Sequence, residues 1–247
     1  MNLLSVKQVQ RSFGGVRALD GVSFAIAAGE IVALIGPNGA GKSTLFNLID
    51  GQLAADGGHI IFDGQSLAGR STADRTRLGI GRTFQVAQTF RTMTTMQNVQ
   101  LALAVAGREA NSVAKVLWSL HVDGARALLQ QVGLQSHADI AAAKLAYGDS
   151  KRLELALALA GKPRLMLMDE PTAGMAPRER AALMELVVER ARDGNLAVLF
   201  TEHSMDVVFG FARRVLVLSR GQLVADGAPE AVRADADVQR VYLGEDE

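Results

Sequence analysis

The chain has 247 residues, 26 Lys+Arg against 26 Asp+Glu, no cysteine, and a hydrophobic share of 49%. That length buries a sizeable core as one large domain or as a core with an added lobe. The lack of cysteine excludes disulfides and thiolate metal sites, which fits a reducing compartment. Zero formal charge with no basic stripe argues against nucleic acid as the main partner, because phosphate contacts dominate that affinity.

Residues Met1–Lys7 lack the apolar stretch of a signal peptide, and no run of about 18 apolar residues is present to span a bilayer. Membrane association is therefore expected to come through a partner protein. Leu4–Val9 and Val22–Ile26 alternate apolar and polar residues, as half-buried strands do, with turn signals at Gly14-Gly15 and Ala28-Gly29. Ile31–Ile35 is a continuous apolar run, the pattern of a strand buried on both faces of a parallel sheet.

Gly36-Pro37-Asn38-Gly39-Ala40-Gly41-Lys42-Ser43-Thr44 follows directly and fits G-x-x-x-x-G-K-[ST], with a helical pattern over Thr44–Ile49 behind it. Glycines let successive backbone N–H groups curl around phosphate oxygens, and the helix N-terminus adds partial positive charge. Lys42 supplies a cation for the outer phosphates, and the Ser43 hydroxyl is suited to Mg²⁺. This stretch predicts a nucleotide triphosphate site.

Between residues 86 and 160 no buried strand is evident, and Gln97–Ala106, Asn111–Leu120 and Gly124–Val132 read as helices. Gly148–Ala160 is helical as well. Buried strands return at Leu165–Met168, Ala197–Phe200 and Val215–Leu218, with a helix over Arg178–Ala191. The alternation predicts an α/β fold: a core of residues 1–85 and 161–247 with a mostly parallel sheet, antiparallel strands near the N-terminus, and an inserted helical subdomain over 86–160. Gly227-Ala228-Pro229-Glu230 turns into a short helix over Ala231–Arg233, with Pro near its first position.

Leu165–Met168 leads into Asp169 and Glu170, two carboxylates at the end of a strand, where open α/β sheets bind ligands. Asp169 is the candidate Mg²⁺ ligand, and Glu170 the group that orients or deprotonates an attacking water. His203 follows Ala197–Phe200 and falls on the same rim, within reach of a γ-phosphate; a lone histidine is otherwise a surface or structural residue.

Together with Gln85 and Leu145-Ala146-Tyr147-Gly148-Asp149, these motifs resemble, in order and spacing, the ATPase subunits of ATP-binding-cassette transporters. Gly81–Gln85, Phe90–Thr94, Leu145–Gly148 and Val241–Glu245 resemble the branch serving branched-chain amino acid importers. The resemblance implies a P-loop NTPase core with ATP and Mg²⁺ as cofactors. Phe13 would stack on adenine, and Gln85 would touch Mg²⁺ and water while linking the core to the helical subdomain. Leu145, Ala146, Tyr147, Gly148 and Asp149 would close over ATP held by a second ATPase subunit, and the implied site also takes in Gly36, Asn38, Gly39, Gly41, Lys42, Ser43 and Thr44. Expected partners are membrane permease subunits docking near Gln85–Arg91 and, indirectly, a solute-binding protein. The expected place is the inner face of the cell membrane.

Four positions depart from the commonest pattern, one of them Tyr147 in place of a glycine. Ala146 replaces a serine hydroxyl that donates to the γ-phosphate, a charge-assisted bond worth about 1.5–3 kcal/mol. Asp149 replaces a glutamine, and Ala176 an aspartate. Among competing classes, lipopolysaccharide export shares the ending Val241–Asp246, and urea or amide import is a further transporter alternative. ATPases of DNA repair or translation carry coiled-coil insertions or two cassettes, neither of which is present. A small-molecule kinase leaves Leu145–Asp149 unexplained.

Overall fold

The computed structural model describes residues 2–83, 89–107, 119–194 and 196–243. Strands β1 (Asn2–Phe13) and β2 (Val16–Ala27) form an antiparallel hairpin whose two connecting residues, Gly14 and Gly15, have φ of +50° and +88°. A two-residue connection that follows the strand twist needs positive φ at both positions, which glycine adopts without steric cost. Strands β4 (Gly57–Phe62) and β5 (Gln65–Ser66) extend this into a four-stranded antiparallel sheet, ordered β2-β1-β4-β5.

The second sheet holds β3 (Ile31–Ile35), β6 (Ile80–Thr83), β7 (Leu165–Asp169), β8 (Ala197–Thr201), β9 (Arg214–Ser219) and β10 (Gln222–Gly227), in the order β10-β9-β3-β8-β7-β6. It is parallel except for the edge hairpin β9–β10. Along β3, β7 and β8 nearly every position is apolar because successive side chains enter two different cores. Ile31, Ala33, Ile35, Met166, Met168, Val198 and Phe200 pack beneath helices. Val32, Leu34, Leu165, Leu167, Ala197 and Leu199 face the antiparallel sheet and helix α1 (Lys42–Asp50).

Helices α3 (Thr95–Ala106), α4 (Val122–Gln131) and α5 (Tyr147–Ala160) occupy the stretch read as helical, with Val99, Ala125, Leu129 and Leu153 buried among them. α3 starts at a capping box: Gln97 N donates to Thr94 Oγ1 at 3.1 Å, and Thr94 N to Gln97 Oε1 at 2.9 Å. The helix expected over Asn111–Leu120 falls almost wholly outside the described residues. Helices α6 (Pro177–Gly194), α7 (Met205–Phe211), α8 (Pro229–Ala234) and α9 (Ala236–Leu243) complete the chain, together with α2 (Thr72–Leu78) before β6. α8 begins with a proline in its first turn, as expected.

The order β3-β8-β7 positions the site. Three adjacent parallel strands end at one edge, so the turn after β3, His203 after β8 and the Asp169-Glu170 pair at the end of β7 are neighbours. Asp169 is in register with Thr201, and Thr201 with Leu34.

Candidate nucleotide site

The turn after β3 is clamped by backbone on both sides. Gly36 has φ +154°, and a Cβ there would lie 2.0 Å from the carbonyl oxygen of Leu218. At Gly41, φ +108°, a Cβ would meet the Ala18 carbonyl oxygen at 2.5 Å. Gly221 N donates to Ala40 O at 3.0 Å and so fixes the crown of the turn. Asn38 and Gly39 remain exposed at its outer side. Gly41 is the N-cap of α1 and offers no side-chain acceptor, which leaves first-turn N–H groups directed at whatever anion sits there.

Lys42 is only 9% exposed, and its Nζ donates to Gly36 O at 2.6 Å and Pro37 O at 2.9 Å. Burial pushes its ammonium below the ordinary lysine value, while the nearby Glu170 and Asp169 carboxylates pull it back up. Ser43 is exposed beside it in the first turn of α1.

Asp169 Oδ1 accepts from Thr201 Oγ1 at 2.7 Å, and its Oδ2 lies 3.6 Å from the Arg82 guanidinium. Glu170 Oε1 is 3.0 Å from His203 Nε2. With the ring neutral and Nε2 protonated, that contact is a donated hydrogen bond that fixes the carboxylate's orientation. The Glu170 backbone has φ +48° and donates to Thr201 O at 3.2 Å and Thr201 Oγ1 at 3.1 Å. The following turn is pinned by Glu202, whose Oε1 accepts from Thr172 N at 2.8 Å and Thr172 Oγ1 at 2.6 Å.

The donors fit a magnesium ion. A serine hydroxyl and one carboxylate are hard oxygen ligands, and magnesium normally takes only one or two protein groups, completing its shell with phosphate and water. No cluster of three or more His, Asp or Glu residues suited to a metal occurs among the described residues.

The remaining expected residues fall as follows. Phe13, at the end of β1, is 43% exposed with the Arg11 guanidinium carbon 4.8 Å from its ring centroid, so it is a surface aromatic and not a core residue. Gln85 lies outside the described residues; β6 ends two residues before it, at Thr83. Ala146 is the N-cap of α5, in extended conformation and without a side-chain cap. Asp149 lies in the first turn of α5, where an acid suits the helix dipole, and His137 Nε2 is 3.6 Å from its Oδ2. Leu145 packs partly buried against the helical core, Gly148 is buried, and Tyr147 is 52% exposed.

One feature of the site escaped the sequence reading. Arg82 on β6 donates to Asp50 Oδ2 at 2.5 Å and Asn47 Oδ1 at 2.7 Å, bridging the end of α1 to Asp169. A signal for it exists. Asp50 closes α1, where a carboxylate opposes the helix dipole, and α1 has no basic residue in its last turn, so a distant cation is required.

Known proteins resemble this chain along nearly all of its length. A family model described as ABC transporter matches residues 19–173. A second, described as Branched-chain amino acid ATP-binding cassette transporter, matches residues 222–247. The chain is 38% identical to the high-affinity branched-chain amino acid transport ATP-binding protein LivG of Escherichia coli K12, covering 98% of both chains. It is 34% identical to the lipopolysaccharide export system ATP-binding protein LptB of the same organism, covering 100% of this chain and 99% of that one. Among solved structures, the ADP conformation of the ATP-binding cassette MJ1267 superposes with a TM-score of 0.86 at 32% identity, covering 99% of both.

Proposed function

Since the chain belongs to the ABC transporter family, as one of its ATPases, we propose that it powers import of branched-chain or other hydrophobic amino acids through membrane permease partners. The observation that carries the ATPase chemistry is the single edge where a backbone-clamped phosphate loop, Lys42, Asp169, Glu170 and His203 converge. In this reading the N–H groups of Gly36–Thr44 and the Lys42 ammonium hold the triphosphate. Ser43 and Asp169 would hold magnesium, which neutralises charge developing on the transferred phosphoryl group. Glu170, steadied by His203, accepts a proton from the water that attacks the γ-phosphate. Gln85 completes the ligand set, and Phe13 offers its exposed face to adenine.

Two such subunits enclose two nucleotides, with Leu145–Asp149 of one facing the phosphate loop of the other. The exposed, uncapped start of α5 supports this, because its free N–H groups suit a γ-phosphate without the serine that Ala146 replaces. ATP does work on the transporter only through its differential affinity for the open and closed dimers.

The helices of 86–160 form the docking subdomain, and Phe90, 56% exposed within the expected docking segment, is an apolar contact suited to a permease. No described helix is long and apolar enough to cross a membrane, consistent with a peripheral subunit on the cytoplasmic face.

Amino acid import is favoured by the likeness to LivG and by the match over residues 222–247. The likeness to LptB carries the second reading, lipopolysaccharide export. Co-purification from membranes separates them. Recovery of two multi-span permeases, with ATPase stimulated by a leucine-loaded binding protein, is the expected result. Stimulation by lipopolysaccharide instead transfers the assignment to export, and recovery of nucleic acid or ribosomes overturns both.

A further inference from the structure

We propose that Tyr147 is a positioning residue that ties the first turn of α5 to Glu170 of the same subunit. The inference rests on the reading of Glu170 as the group that orients the attacking water.

Tyr147 is more than half exposed, yet its hydroxyl donates to Ala173 O at 2.9 Å. Its ring lies alongside Gly174, where a Cβ would sit 3.5 Å from the ring carbons, an ordinary contact distance. Ala173 in turn donates its N–H to Glu170 O at 3.1 Å. One residue, Ala173, therefore accepts a bond from α5 at its carbonyl and gives one through its N–H to the catalytic carboxylate's own backbone.

That backbone needs support. Glu170 has φ +48°, a left-handed value that costs a non-glycine residue about 1–2 kcal/mol and persists only where neighbours hold it. Support comes from Thr201, the last residue of β8, which receives its N–H, and from Glu202 just beyond β8, which pins Thr172 in the following turn. The Tyr147–Ala173 bond adds a support that arises from a helix outside the sheet. A second contact reinforces the linkage. Gly148 lies against Glu179, whose Oε2 accepts from Ala176 N at 3.3 Å. The first turn of α5 thus reaches Ala173 directly and Ala176 through Glu179. When residues 145–149 engage a nucleotide on the opposing subunit, displacement of that turn is felt at Ala173 and then at Glu170, which links one site to the other.

Tyr147→Phe in the full chain tests this, since it keeps the ring on Gly174 and deletes only the hydroxyl. The expected result is a fall in kcat of roughly two- to tenfold, the range one neutral hydrogen bond supports. KM for ATP should stay within about twofold. The Hill coefficient should drop towards one, and amide exchange over 170–176 should quicken at an unchanged unfolding midpoint. Parental kcat and Hill coefficient would overturn the proposal. So would a raised KM at constant kcat, which would make the hydroxyl a nucleotide contact. Glu170→Gln measured alongside separates the two levels. If it turns over at full rate, the reading of Glu170 fails and takes this inference with it; if it is inactive while Tyr147→Phe behaves as parent, only the inference fails.

Discussion

Replacing Gly36 by alanine should destabilise the fold far more than the same change three residues on, at Gly39. At Gly36 an added Cβ would meet the Leu218 carbonyl oxygen at 2.0 Å, against ordinary C···O contacts of about 3.3 Å or more. The neighbour is backbone at the end of β9, inside the sheet, so relief requires the turn to lift by more than about 1 Å. Overpacking of this kind costs about 1–3 kcal/mol. The φ of +154° adds about 1–3 kcal/mol for any residue with a side chain. The sum, about 2–6 kcal/mol, is a large part of the roughly 5–15 kcal/mol that holds a domain folded. At Gly39 a Cβ meets nothing within 4 Å, and only the left-handed φ of +78° is charged, about 1–2 kcal/mol. Urea unfolding of nucleotide-free protein reads both values. Equal midpoints for the two variants would refute the view that the loop is clamped against β9.

Glu170→Gln should keep ATP affinity, cut turnover by about 10²–10⁴-fold, and accumulate a nucleotide-bound dimer visible by size exclusion. Arg82→Met should lower stability by about 1.5–3 kcal/mol, because buried Asp50 loses its direct ion pair and keeps only the Gln52 hydrogen bonds and the Arg75 charge. Adding Asp50→Asn should recover part of that loss, and strict additivity in denaturant unfolding would contradict the pairing. Glu154 is held above the usual glutamate range, chiefly by burial and despite Lys151. Its raised value makes its contribution fully present below pH about 4 and lost as pH rises through the folded-state value. Glu154→Gln should therefore gain on the parent in urea midpoint as pH rises from about 4 through neutrality, and a pH-independent difference would contradict this.

The sheet strands and the phosphate loop were legible in the sequence because they are dictated locally. Ile31–Ile35 needs apolar residues on both faces, and the glycines of 36–41 answer a backbone path that no side chain tolerates. β6 was missed because four residues containing Gly81 and Arg82 carry no periodicity, and its place is set by pairing with β7. β10 was missed because it is a half-exposed edge strand defined by its partner β9. In the site, Asp169, Glu170 and His203 could be placed on one rim from strand ends alone. The His203–Glu170 contact, the Arg82–Asp50–Asp169 network and the Tyr147–Ala173 bond could not, since each joins residues at least 26 positions apart.

The most direct measurement is a calorimetric titration of the chain and of Lys42→Ala with MgATP. One site per chain is expected for the parent, and loss of about 2–5 kcal/mol of binding free energy for the variant, whose loop lacks its converging cation. Unchanged affinity in Lys42→Ala would contradict the assignment of residues 36–44 as the seat of the triphosphate.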